Sequence, residues 1–219
     1  MIKAVLFDLD GTLVNSLADL ANSVNFALSK HSFPTHTIEK YKYFVGDGMV
    51  KLIERALPEN LSDDNAFQIV FEDFMSHYRK HFMDKTLPYD GIEALLKSLK
   101  EMGMKTAVVS NKLHEMTLQV VENLLDFDFD YITGKRDGFP TKPDPRLTEI
   151  VMQSLNVTAC ECVFIGDSGM DMSVAKNVNC KGVGVLWGFR TEEELRRNGA
   201  DYIVSNPNEI LDIIKELNK

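Results

Sequence analysis

Two aspartates, Asp8 and Asp10, stand at the end of a short apolar run, Ala4-Val5-Leu6-Phe7. A run of this kind suits a strand covered on both faces. Side chains at i and i+2 of an extended segment point the same way, so the two carboxylates face one crevice. Gly11 follows and tolerates the positive φ of a sharp turn. Neighbouring carboxylates repel, and such a pair needs a cation or a shared proton. The chemistry on offer is therefore that of a metal site or of a carboxylate pair split into acid and base.

Further polar breaks follow apolar runs at Ser110-Asn111 and at Gly166-Asp167, with Asp171 four residues on. If the runs are strands of one parallel sheet, their ends share an edge and these residues converge. Asp8, Asp167 and Asp171 then form an all-oxygen cluster of the type Mg²⁺ prefers. Ser110 is expected just before a helix, where its hydroxyl and free backbone N–H groups could hold a phosphate. Lys142, in Thr141-Lys142-Pro143-Asp144-Pro145, is pinned among loop prolines and offers a cation. Each has an ordinary alternative: a helix cap, a solvated loop lysine, a pair of turn residues. Their recurrence at matching places in the chain favours a site over four coincidences.

The elements that must position them can be read from the rest of the chain. Its 219 residues are 44% hydrophobic, enough for a sizeable core. Lys and Arg total 24 against 33 Asp and Glu, a net charge of −9. That balance, without a basic run, argues against nucleic acid or an anionic membrane as partner. An anionic substrate would have to be drawn by local cations. No run approaches membrane-spanning length, and Met1-Ile2-Lys3 leads straight into the first strand, so a cytoplasmic protein is expected. Cys160, Cys162 and Cys180 make no Cys-x-x-Cys pair and are expected as free, buried thiols.

After Thr12 the pattern is helical. Asn15 or Ser16 can cap a helix carrying Leu17, Leu20, Ala21, Val24, Ala27 and Leu28 on one face, and further helices are expected over 49–57 and 66–82. An insert of about 70 residues without an alternating strand does not fit a plain βαβ order. It is expected to be a separate helical domain, 15–85, set into a core of 1–14 and 86–219. From Leu87 the alternation resumes, with strands expected at 105–109, 127–133, 162–165, 182–186 and 202–204 and helices between them. The fold class is therefore α/β, a doubly wound parallel sheet with an inserted helical cap. Within the insert, Gly46-Asp47-Gly48 precedes a helix that Asp47 or Gly48 could begin, with Lys51 and Arg55 on its solvated face. The loop Leu186-Trp187-Gly188-Phe189-Arg190 follows a strand and either borders the crevice or anchors the core through Trp187.

Asp8-Leu9-Asp10-Gly11-Thr12, Val109-Ser110-Asn111, Lys142-Pro143 and Gly166-Asp167-Ser168-Gly169-Met170-Asp171 together resemble the motifs of the haloacid dehalogenase superfamily, in its phosphoglycolate phosphatase-like branch. The likeness spans the chain, helical cap included. It implies a phosphatase of small phosphate esters in which Asp8 attacks phosphorus to form an aspartyl-phosphate and Asp10 serves as acid and then base. It also implies phosphate contacts from Gly11, Thr12, Ser110, Asn111 and Lys142. Mg²⁺ would be held by Asp8, the Asp10 backbone carbonyl and Asp167, with Asp171 supporting the metal or orienting Lys142. Gly46, Asp47 and Gly48 fall where the family's caps select the leaving group. Phosphoglycolate is the leading substrate; a carboxylate of Asp47 seated on the helix N–H groups would weaken that preference. Within the superfamily a sugar-phosphate mutase or pyrophosphatase would carry similar motifs. A phospho-accepting signalling module would need neither Asp10 as acid nor a cap, and a dehalogenase would need no Mg²⁺.

Overall fold

Val5, Leu6 and Phe7 are wholly buried because β1 (Ala4–Phe7) lies in the middle of a six-stranded sheet. The computed structural model describes residues 1–58 and 65–219. They form two units, one of Met1–Val14 with Pro88–Lys219 and one of Asn15–Leu87. The chain crosses between them at β2 (Val14–Asn15) and β3 (Leu87–Pro88).

In the first unit the strands after the crossing are β4 (Lys105–Leu113), β5 (Tyr131–Lys135), β6 (Cys162–Gly166), β7 (Lys181–Val185) and β8 (Tyr202–Val204). Their order is β5-β4-β1-β6-β7-β8, and every pairing is parallel. Among the described residues the helices of this unit begin with Ile92–Glu101, His114–Leu124, Arg146–Ser154 and Gly169–Asn177. Glu192–Arg197 and Asn208–Leu217 complete them. Ala4, Leu6, Ala107, Val109 and Phe164 share one face of the sheet with Val151, Val174 and Ala175 of the covering helices. Val5, Phe7 and Val108 alternate to the other face and are equally buried. Burial on both faces is why these strands read as unbroken apolar runs. Each large side chain so buried contributes roughly 1.5–3 kcal/mol.

Three local expectations are corrected. The strand anticipated at 127–133 begins only at Tyr131, which pairs with Ala107. Phe127 and Phe129 pack edge to face on each other at 4.9 Å, and Asp130 ties back through its carboxylate to the Thr106 N–H at 2.8 Å. Second, β4 does not stop at Val109 but runs on to Leu113 with a register irregularity, so Ser110 lies within a strand rather than at a helix start. Third, Cys160 is exposed; only Cys162 and Cys180 are buried, and burial pushes both thiols up to about 12. No helix among the described residues is long and apolar enough to cross a membrane.

The second unit is helical: α1 (Leu17–Lys30), α2 (Ile38–Tyr41), α3 (Met49–Ala56) and α4 (Ala66–His81). Leu20, Val24 and Leu28 of α1 and Val70, Phe74 and Tyr78 of α4 supply its core. His31 and Lys30 at the end of α1 both reach Asp73 of α4, each at 2.7 Å. Asp19, in the first turn of α1, is 2% exposed. Its carboxylate accepts from the Lys85 and Thr86 backbone N–H groups and from the Thr86 hydroxyl, at 2.7–3.1 Å. Backbone donors thus take the place of a counter-ion.

Candidate active site

Because β4, β1 and β6 are neighbours, Asp8 and Asp167, just beyond β1 and β6, come to one edge with Ser110, which lies two residues past the Val108 partner of Phe7. The Asp8 N–H extends the ladder by one residue, donating to the Ile165 carbonyl at 2.9 Å. Lys142 arrives from the loop after β5. Its ammonium donates to the Val109 carbonyl at 2.8 Å and lies 2.7 Å from both Asp8 Oδ1 and Asp171 Oδ1. The three donors of the ammonium match three acceptors, which fixes the side chain. Asp171 is held in turn by the Ser168 N–H and hydroxyl, at 3.0 and 2.6 Å.

Asp8, Asp167 and Asp171 each place a carboxylate oxygen within 4.8 Å of the others, and all three are buried. Burial, and then the charge of Asp171, push the Asp8 carboxyl up to about 7. Burial and the same neighbouring charges hold Asp167 well above the usual carboxylate range. Burial pulls Lys142 down, but Asp171 and Asp8 outweigh it and its ammonium is held above the ordinary lysine value. One ammonium cannot neutralise three buried carboxylates. A hard divalent cation fits both the shortfall of charge and the all-oxygen donor set.

Gly11 makes the cluster possible. Its φ is +91°, and a Cβ there would lie 2.3 Å from Asp167 Oδ2. Gly188 is under the same constraint from the other side, where a Cβ would meet Asp167 Cβ at 2.2 Å. The loop carrying Gly188 does border the crevice: the Phe189 N–H donates to Asp167 at 2.8 Å and the Trp187 indole to the Thr12 carbonyl at 3.0 Å.

Several residues expected at the phosphate also make hydrogen bonds within the chain. The Gly11 N–H donates to the Val14 carbonyl and the Thr12 N–H to the Leu9 carbonyl, at 2.8 and 3.2 Å, closing a tight turn. The Thr12 hydroxyl turns to Asp167 at 3.4 Å. Asn111 exchanges hydrogen bonds with the Lys142 backbone at 2.7 and 3.3 Å, so its amide tethers the lysine loop. Ser110 accepts from the Lys112 N–H at 3.2 Å. These residues shape the crevice through the turn and the tether.

Sequence reasoning missed Lys112. Its side chain is 1% exposed, and its Nζ lies 3.1 and 3.2 Å from the two oxygens of Asp10. No local signal pointed to it, because Ser110-Asn111-Lys112 is polar and a lysine there is ordinarily solvated. Tyr89 was also missed. Burial, then the charges of Asp167 and Asp10, raise its phenol well above the ordinary value.

In the helical unit, Gly46 and Gly48 both take positive φ, and α3 starts without a side-chain cap. The expectation that the Asp47 carboxylate sits on the α3 N–H groups is therefore corrected. It accepts instead from the Arg55 guanidinium, which also donates to the Phe44 carbonyl at 3.0 Å. A guanidinium fork supplies charge as well as donors and outcompetes a neutral N–H. Arg55 and Lys51 are exposed, as a solvated face requires, and both are ion-paired, Lys51 with Glu54 at 2.6 Å.

Fold and site together define an α/β protein with an acidic crevice at the carboxyl edge of its sheet, bridged by a buried lysine. The chain belongs to the haloacid dehalogenase-like hydrolase family, whose model matches residues 5–185. It is 33% identical over 219 residues to the phosphoglycolate phosphatase of Colwellia psychrerythraea, covering 97% of each chain. It is 32% identical to that of Chromobacterium violaceum, covering 98% of this chain and 97% of the relative. A crystal structure from Lactobacillus delbrueckii subsp. bulgaricus superposes with a TM-score of 0.91 at 33% identity, over 97% of this chain and 98% of that one.

Proposed function

We propose that this protein is a Mg²⁺-dependent phosphatase of small phosphate monoesters that works through an aspartyl-phosphate on Asp8. The observation that carries the reading is the Asp8 carboxylate at the end of the central strand, held by Lys142 beside Asp167 and Asp171. Asp8 and Asp167, with the Asp10 backbone carbonyl, would hold the cation, and Asp171 keeps Lys142 in place. Mg²⁺ bound there supplies the positive charge that lets an anionic nucleophile approach an anionic phosphate. That need is real, since two such charges about 4 Å apart repel by roughly 4 kcal/mol at an effective dielectric near 20.

An Asp8 oxygen attacks phosphorus in line as the bond to the leaving oxygen breaks, and Asp10 gives that oxygen its proton. Asp10, now a carboxylate, takes a proton from water. The water oxygen bonds to phosphorus, the Asp8–phosphorus bond breaks, and phosphate leaves. Lys142 stays on Asp8 throughout and holds the carboxylate oxygens in register. The relatives named for phosphoglycolate make it the substrate of choice. The cap residues Gly46, Asp47 and Gly48 would then bear on the leaving group. The free cysteines suit a reducing, cytoplasmic setting.

The test is phosphate release from a panel of phosphoesters, phosphoglycolate included, with Mg²⁺ and with excess chelator. Mass spectrometry of acid-quenched turnover reads the phosphoryl group on the Asp8 peptide. Chelation should stop release, and Asp167→Ala should raise the Mg²⁺ requirement. Full activity in chelator would remove the metal, and isomerised ester without free phosphate would mark a mutase.

A further inference from the structure

Among the described residues of the first unit two lysines are buried, and the reaction above gives work to only one of them, Lys142. The other, Lys112, sits on the polar extension of β4. Its Nζ is nearly equidistant from Asp10 Oδ1 and Oδ2, at 3.1 and 3.2 Å. The ammonium therefore lies astride the carboxylate and sets both its plane and its direction. Asp10 keeps a free side, for its side chain is 20% exposed against 1% for the lysine.

Stability alone is a weak reason for such a pair. Desolvating two charges costs about what their attraction returns, and apolar residues of the same shape often do as well. An acid that must meet a leaving oxygen and then a water has a different requirement: its oxygens must already be in place. We infer that Lys112 is a positioning residue that aims the Asp10 carboxyl at the leaving oxygen. Lys112 exchanges no proton itself; the proton passes from Asp10 to the leaving oxygen as the phosphorus–oxygen bond breaks. The inference rests on the phosphatase reading of the same site.

A positioning role for proton donation has a signature that a merely structural role lacks. Esters with basic alkoxide leaving groups need the acid, whereas p-nitrophenyl phosphate, whose leaving group is stable as an anion, hardly does. The parameter to compare is kcat/KM, which reports the steps up to departure of that group. Lys112→Met is expected to lower kcat/KM for phosphoglycolate or glycerol phosphate about tenfold more than for p-nitrophenyl phosphate. Lys112→Arg should restore part of the loss. On an Asp10→Asn background, Lys112→Met should add no further leaving-group dependence, because the aimed group is gone. Lys112→Gln supports the same comparison if the methionine variant does not fold. Equal losses on both ester types, or no loss, would overturn the positioning role while leaving the phosphatase reading intact. No phosphate release by the unaltered protein from any ester with Mg²⁺ would remove that reading, and the inference with it.

Discussion

The Lys142 ammonium lies 2.7 Å from Asp8 Oδ1, and that single contact ties the loop after β5 to the end of the central strand. The lysine is shared with Asp171, so Asp8 receives only part of a positive charge. Its carboxyl is consequently pushed up to about 7, chiefly by burial, even with a cation beside it.

This sets a pH dependence of stability. Asp8 binds its proton more tightly folded than unfolded, where 3.8 is its ordinary value. In chelator its contribution is therefore full below about pH 4, falls as pH rises towards 7, and is flat above, by on the order of a few kcal/mol. Mg²⁺ competes with that proton, so the rise in Tm it gives should grow over the same window. Melts of the protein and of Asp8→Asn at pH 5 to 8, with and without Mg²⁺, check the difference. A chelator curve whose gap to Asp8→Asn does not change between pH 5 and 7 would contradict it.

Replacing the nucleophile should silence the enzyme without unfolding it. Asp8→Asn keeps nearly the same volume but offers a neutral amide, a far poorer nucleophile. Phosphate release should fall by at least about a thousandfold, roughly 4 kcal/mol in the barrier. The circular dichroism spectrum should remain native. Activity within a few-fold of the unaltered protein would take Asp8 out of the chemistry.

The Asp47–Arg55 pair makes a two-sided prediction about substrate choice. Asp47 carries its own counter-ion, so its carboxylate is not a free repulsive charge. On the proposed role of the cap loop, Asp47→Asn would leave the guanidinium to attract a substrate carboxylate, and Arg55→Gln would leave the carboxylate to repel one. The kcat/KM ratio of phosphoglycolate to a neutral ester should rise in the first and fall in the second, by roughly two- to fivefold for partly exposed charges. Ratios unchanged in both variants would confine the loop to a structural part.

Asp19 offers a prediction about stability alone. Asp19→Ala strips the acceptor from the Lys85 and Thr86 N–H groups and from a buried hydroxyl. The cost should be about 2–4 kcal/mol in denaturant unfolding. A shift of the midpoint too small to resolve would mean that water replaces the carboxylate.

How much of this was legible depended on whether the signal was local. The β1 run and the acids at its end could be read because apolar burial and polar breaks are properties of neighbouring residues. The extension of β4 could not: Ser110-Asn111-Lys112 reads as a strand ending. What keeps the chain extended there includes a pair of hydrogen bonds, one accepted and one donated by the Asn111 amide, with the backbone of a residue 31 positions away. Lys112 escaped notice for a related reason, since its burial is decided by an acid 102 residues earlier. Asp47 by its neighbours alone suits a helix cap or a substrate loop, and the partner that takes its carboxylate, Arg55, lies two turns further along the chain.

The central position of β1 carries a cost in time. Phe7 finds its neighbours at Val108 on one side and Ile165 on the other. At roughly 5–20 residues per second, a ribosome needs roughly 8–30 s after making the first strand to deliver the second of those partners. The segment 15–87 emerges in that interval and, being contiguous, can form its own contacts first. The strand bearing Asp8 meanwhile waits, apolar and with both edges unpaired, for the sheet that will enclose it. That exposure, rather than the stability of the finished fold, is where a chaperone would find its target on this chain.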